Sequence, residues 1–228
     1  MTLNELASAI HNDISSGLRG KTDTVIPISQ LEDEIVNKRN SLIKKYSLNG
    51  LIPIQDLIQS IECVSLECND VANCCSGIKS GTKALRFTLP RLSTIYGKEA
   101  IQFIGSISRA EPFKVYYDSS FVYHTHKAYN KRPYVWVNMG SRVGDKGGFI
   151  YGYVFNTPYL EKLSMDIVAE NPYDALTCCN DKDSMEFPAP KFIQDEIKSM
   201  VTEQFIRYYK AANPMMVMPV DSTSNRNA

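Results

Sequence analysis

The chain has 228 residues, 43% hydrophobic and 22% charged, an ordinary globular composition and enough length to bury a core in one domain or two small ones. Its 25 Lys and Arg residues equal its 25 Asp and Glu residues, so it lacks the basic excess expected of a protein that grips duplex DNA or anionic lipid. No apolar stretch approaches the about 18 residues needed to cross a bilayer. The opening Met1 to Leu6 has no basic region followed by an apolar run, so no signal peptide and cytosolic synthesis are expected. Six cysteines are too few at this length to demand a disulfide scaffold.

The first helix is announced by Thr2 and Glu5, which have capping-box spacing. Leu3, Leu6, Ala7, Ile10, Ile14 and Leu18 then recur on one helical face, and Gly17 or Gly20 is expected to end the run. A linker from Lys21 to Ile28 precedes a second capping box, Ser29 with Glu32. It opens an apolar stripe of Leu31, Ile35, Leu42 and Tyr46 that stops before Asn49-Gly50. Lys38, Arg39, Lys44 and Lys45 could touch phosphates, but a solvated helix face with cations near the C-terminal end is the preferred reading.

From Leu51 the period changes to that of strands. Ile61–Leu66 and Leu85–Leu89 are predicted strands separated by a cysteine-bearing loop. Ala100–Ile107, Phe113–Tyr117, Phe121–His126 and Tyr134–Val137 continue the pattern. Phe149–Phe155 comes next. Leu163, Met165, Ile167 and Ala169 then alternate with Lys162, Ser164, Asp166 and Val168, and Asn171-Pro172 closes that strand. The last helix is expected to start near Pro190, with Ile193, Ile197, Met200, Val201, Phe205 and Tyr208 as its apolar stripe. Beyond Asn213-Pro214, Met215, Met216 and Met218 form an apolar run. Asp221 to Ala228 has no residue able to anchor in a core, so an ordered tail would need a neighbouring molecule to hold it.

No set of residues makes a convincing catalytic or metal site. Cys63, Cys68, Cys74, Cys75, Cys178 and Cys179 lack paired CxxC spacing. Buried or free thiols are the preferred reading, ahead of a structural zinc or a disulfide. His124 and His126 would share one face of a strand, but His11 is the one other histidine and Asp118 is near only in sequence. Ser106 or Ser108 beside Arg109 and Glu111 has no histidine base nearby, and there is no GxSxG elbow. Gly140 to Gly148, with Gly144-Asp145-Lys146, lacks Walker spacing and is expected to be a hairpin loop. The carboxylate groups Glu32-Asp33-Glu34 and Asp181 with Asp183 carry no catalytic information, and the thirteen tyrosines with Trp136 are expected as cross-strand pairs and interface anchors.

Several blocks together resemble virion structural proteins of crAss-like bacteriophages, short-tailed phages of gut Bacteroides and their relatives. They are MTLNELASAIHNDISSGLRG, SQLEDEIVNKRNSLIKKY, AIQFIGSISRAEPFKVYY, KRPYVWV, FIYGYVFNTPYLEKLS and IQDEIKSMVTEQFIRYYKAA. The resemblance covers most of the chain and carries over no catalytic residue. It implies a ring-forming protein of the neck or tail barrel below the portal, in about twelve copies. It further implies contacts to the portal and adjacent ring or tail proteins, with DNA only as passing cargo and no membrane.

The expected architecture is α+β, with terminal helices packed as one module around a central antiparallel β-sandwich or barrel-like module. Residues 1–50 form the N-terminal helical segment and 51–185 the β-rich module. Residues 186–212 form a helix that packs with the helical segment, and 213–228 an extended arm. The expected role is a non-enzymatic structural protein of the virion without cofactor. Alternatives from other classes are a zinc-stapled module binding protein or RNA, and a cupin-like metal enzyme using the HxH strand.

Overall fold

The computed structural model describes residues 1–17, 26–70, 83–95, 98–117, 132–143, 149–157, 159–175 and 185–212. Helices occupy both ends of the chain and strands the middle, an α+β arrangement. Helix α1 (Leu3–Gly17) begins as its sequence announces. The Thr2 amide donates to Glu5 at 2.8 Å, and the Glu5 amide donates to the Thr2 hydroxyl at 3.2 Å. Leu3, Leu6, Ala7, Ile10 and Ile14 are buried along one face.

Helix α2 (Ile28–Leu48) departs from the expected start. Pro27 occupies the N-cap in an extended conformation and its carbonyl accepts from Gln30, so Ser29 lies inside the first turn and makes no capping box with Glu32. The cause is local. Pro27 forces the buried Ile26 before it out of helical geometry and supplies the bend itself. The helix ends at Asn49, followed by Gly50 at φ +67°, a conformation that costs glycine least.

Helix α3 (Lys191–Ala212) follows Pro190, whose carbonyl accepts from Ile193 and Gln194. Its buried stripe is Ile193, Ile197, Val201 and Phe205. Met200 and Tyr208, expected in that stripe, are exposed, lying beside the i, i+4 row that is buried against α1 and α2.

The strands form two facing sheets. β1 (Gln59–Ser65), β10 (Lys162–Ile167) and β6 (Ile101–Ser106) make an antiparallel sheet in the order β1-β10-β6. β2 (Glu67–Asp70), β3 (Lys83–Pro90), β9 (Phe149–Phe155), β8 (Tyr134–Val143) and β7 (Lys114–Tyr116) make the other, in the order β2-β3-β9-β8-β7. One pair, β7 with β8, runs parallel within the otherwise antiparallel set. A short ribbon, β4 (Thr94–Ile95) with β5 (Lys98–Glu99), lies beside α2. The β8–β9 pair is the hairpin expected around the glycine-rich segment. β8 itself runs through Gly140 to Val143, and residues 144–148 lie outside the described set.

Between the sheets a core gathers Ile61, Phe87, Leu89, Ile104, Val135, Val137, Ile150, Val154, Leu163, Met165 and Ile167. The opposite face of β8 and β9 carries the aromatics. Tyr134 stacks on Phe155 at 4.8 Å and Trp136 on Tyr153 at 5.2 Å, the cross-strand pairing expected of these residues. Gly152 is required by the first face. It sits opposite Phe87 in the β3–β9 register, and a Cβ there would come within 2.3 Å of the Phe87 ring.

The helices share a second core with Ile52, Leu57, Ile95, Ala100, Val168 and Phe187. The two cores meet just past the end of β10. Ile167 and Ala169 face the sandwich while Val168, between them, faces the helices. In the alternate row Ser164 and Val168 are buried as well, Val168 because it faces the helices. β10 is the middle strand of its sheet and its extension lies between two layers, while Lys162 is exposed and Asp166 partly exposed in its alternate row.

Candidate assembly interface

Arg39, expected on a solvated face, is fully buried. Its Nε donates to the Pro188 carbonyl at 2.9 Å. Its Nη1 donates to the Ala169 carbonyl at 3.0 Å and the Asn40 side chain at 3.2 Å. The Phe187 ring centroid lies 6.0 Å from its guanidinium carbon, and Nη2 has no hydrogen-bond partner among the described residues. Burial pushes this guanidinium down to about 9, which leaves it cationic at neutral pH. Lys44 and Lys45 do lie on an exposed surface, Lys45 pairing with Glu196 of α3 at 3.4 Å. Sequence reasoning missed Arg39 because its periodic position, four residues after Ile35, was outvoted by its charge; that position was the one available signal.

Above Arg39 the surface opens into a groove of about 650 Å³ between α2 and the turn at 170–174. Its rim is acidic, with Glu32, Asp33, Glu170 and Asp174, and Val36 and Tyr173 contribute apolar surface. Asn40 fixes the groove wall by donating to the Glu170 carbonyl at 2.8 Å. Asn171 does so from within the turn, bonding the Asp174 carboxylate and the Tyr173 amide. Glu32, expected to cap α2, therefore contributes to a surface instead.

On the other flank of α2 lies α3. Gln204 donates to Glu34 at 3.1 Å, and the Tyr46 hydroxyl donates to Glu196 at 2.6 Å. That bond, with burial and the Glu196 charge, raises the Tyr46 phenol above its usual range. The last turns of α3 present Arg207, Tyr208 and Lys210 to solvent, Tyr208 at 68% exposure. Arg207 pairs with Glu203 on its own helix, in an exposed i,i+4 pair. Elsewhere Leu48, Leu51 and Tyr159 are the most exposed apolar side chains among the described residues.

The turn after β6 uses the serines structurally. Gly105 lies against the Glu111 carbonyl, the Glu111 amide donates to the Ser106 hydroxyl at 3.3 Å, and Ser106 meets Ser108 at 3.2 Å. Arg109 sits at φ +59°, over the Phe103 ring, and ion-pairs with Asp166 on β10. Asp166 also accepts from Ser60 at 2.7 Å, so this polar set ties all three strands of one sheet together.

Cys63 and Cys68 are exposed free thiols on β1 and β2, strands of different sheets. Cys74, Cys75, Cys178, Cys179, His124, His126, Asp118 and the arm 213–228 lie outside the described residues. Among the described residues no group of three or more His, Cys, Asp or Glu side chains could hold a metal ion. No helix there is long and apolar enough to cross a membrane.

No curated protein matches this chain in sequence. The family model described as phage tail ring protein 2 (CrAss_Ring_2) matches residues 9–227, a span from the first helix through both sheets and α3 into the C-terminal segment. A match of that extent takes in both sheets and all the helices but the start of α1, and the chain belongs to the phage tail ring protein 2 family of crAss-like phages.

Proposed function

We propose that this chain builds a closed ring in the neck or tail barrel below the portal, joins the rings on either side, and bounds the channel through which DNA leaves. The observation that carries the reading is the match of residues 9–227 to a tail ring family, which makes the protein a structural component of the phage tail. Ring subunits assemble by head-to-tail contacts that close when the rotation per subunit divides a full turn, and about twelve copies suits a ring stacked on a portal. A formal net charge of zero supports a channel wall that lets DNA slide, since a basic lining would hold the phosphates. The work of the protein is assembly rather than turnover, so no residue is assigned a catalytic part.

Electron cryomicroscopy of the intact particle tests this directly. A closed ring of this chain on the portal axis is the expected result. Its absence from the axial stack, or its presence only in the capsid shell or fibres, would overturn the placement.

A further inference from the structure

We propose that neighbouring copies in the ring engage by inserting the exposed end of α3, bearing Arg207, Tyr208 and Lys210, into the acidic groove between α2 and the 170–174 turn of the next copy. This rests on the ring reading and names the contact that would close the ring.

Three observations lead to it. The first is charge. The groove carries the carboxylates Asp33 and Glu170, whereas the α3 end offers a guanidinium and an ammonium flanking a tyrosine. In a chain whose charges sum to zero these are complementary patches, and complementary potentials fix partner and register. Cations at a helix C-terminus are also favoured by the helix dipole, so presenting them there costs the subunit little.

The second is surface chemistry. Tyr208 is 68% exposed on a helix whose buried row is filled by Ile193, Ile197, Val201 and Phe205. Tyrosine and arginine are the residues that dominate interface energies when an apolar pocket receives them. The groove lining is mostly polar, and Val36 and Tyr173 supply the apolar surface within it for such a tyrosine to cover.

The third is geometry. At 100° per residue, Glu34 and Lys45, which engage α3, lie about a third of a turn around α2 from Asp33, Asn37 and Asn40, which line the groove. Groove and α3 therefore occupy different flanks of α2, and the α3 end cannot fill its own groove while packed as it is. A contact between unlike patches on different flanks is heterologous, the kind that propagates from copy to copy and closes into a ring.

Zero-length carbodiimide cross-linking of purified particles, read by mass spectrometry, tests the contact in the assembled protein. A Lys210–Glu170 or Lys210–Asp33 cross-link between copies is expected. Lys210 joined solely to another virion protein would overturn the proposal. A second arm uses complementation in infected cells. Arg207→Glu with Lys210→Glu, and separately Asp33→Lys with Glu170→Lys, should each lower incorporation into particles at least tenfold with unchanged helical circular dichroism. All four changes in one chain should restore it. Normal incorporation of either pair, or no rescue by the four together, sinks the contact while leaving the ring reading intact. Wild-type particles without a ring of this chain would remove both. A stalled two-copy species would show a two-fold contact and overturn the head-to-tail one.

Discussion

Arg39 on α2 donates to the carbonyl of Ala169, just past β10, at 3.0 Å across a sequence separation of 130 residues. With its second bond to Pro188, this one side chain joins the helical layer, the sandwich and the approach to α3. A buried cation with no carboxylate paired to it among the described residues is costly. Here carbonyl oxygens take the place of a counter-ion, and they lose these bonds if it leaves.

Replacing Arg39 by Ala should therefore destabilise the subunit by about 3 to 5 kcal/mol, from the lost bonds and the cavity. Arg39→Met fills the cavity and removes the charge, so it should cost clearly less. Urea denaturation of the two variants checks the order. A larger loss for Met than for Ala would contradict this account of the site.

The same residue predicts a pH signature. Its folded-state value is lowered to about 9 by burial, below that of the unfolded chain, so in alkaline solution the unfolded state binds more protons. Stability owed to Arg39 then rises with pH above about 9 and is flat from pH 5 to 8. The difference in unfolding free energy between wild type and Arg39→Met should shift towards wild type between pH 9 and 11. A flat difference would show that the guanidinium keeps its proton throughout.

Gly152→Ala should cost about 1 to 3 kcal/mol, because the Phe87 ring lies where the new methyl would go and the facing sheet leaves it no room. Pairing it with Phe87→Leu should recover part of that loss, which thermal melting of the double variant measures. An additive double variant would place the strain elsewhere.

Arg109 offers a reversal of the usual ranking. Its φ of +59° strains any residue except glycine, while its side chain holds Asp166 and covers Phe103. Arg109→Ala loses the contacts and keeps the strain. Arg109→Gly loses the same contacts and relieves it, so glycine should be the more stable by about 1 kcal/mol. Chemical denaturation resolves that difference, and alanine above glycine would refute it.

Deleting residues 213–228 removes Met215, Met216 and Met218 without touching either described core. The truncated subunit should fold with wild-type stability and fail to enter particles. Particle-associated protein at the wild-type level would retire the arm as an assembly element.

How much was legible in the sequence differs residue by residue. α1 was read with its cap because Thr2, Glu5 and the buried stripe act within a few residues of each other. β9 was read with its limits, Phe149–Phe155, since the glycines before it set off an aromatic, β-branched run. The α+β order and the absence of a recognisable catalytic motif came from the same local signals.

Pro27 marked the start of α2 locally, and tertiary structure alone decided which flank of that helix is open and that Arg39 is interior. Ser29 and Glu32 have the spacing of a cap, yet Pro27 and the burial of Ile26 set the helix start and released Glu32 to the groove rim. Arg39 has helical core spacing, but a cation is buried only where carbonyls converge on it, and those come from positions 130 and 149 residues away. Capping, turns and periodicity are short-range forces written in neighbouring residues. Desolvation and the opposition of unlike surfaces depend on segments that meet only when the chain has folded.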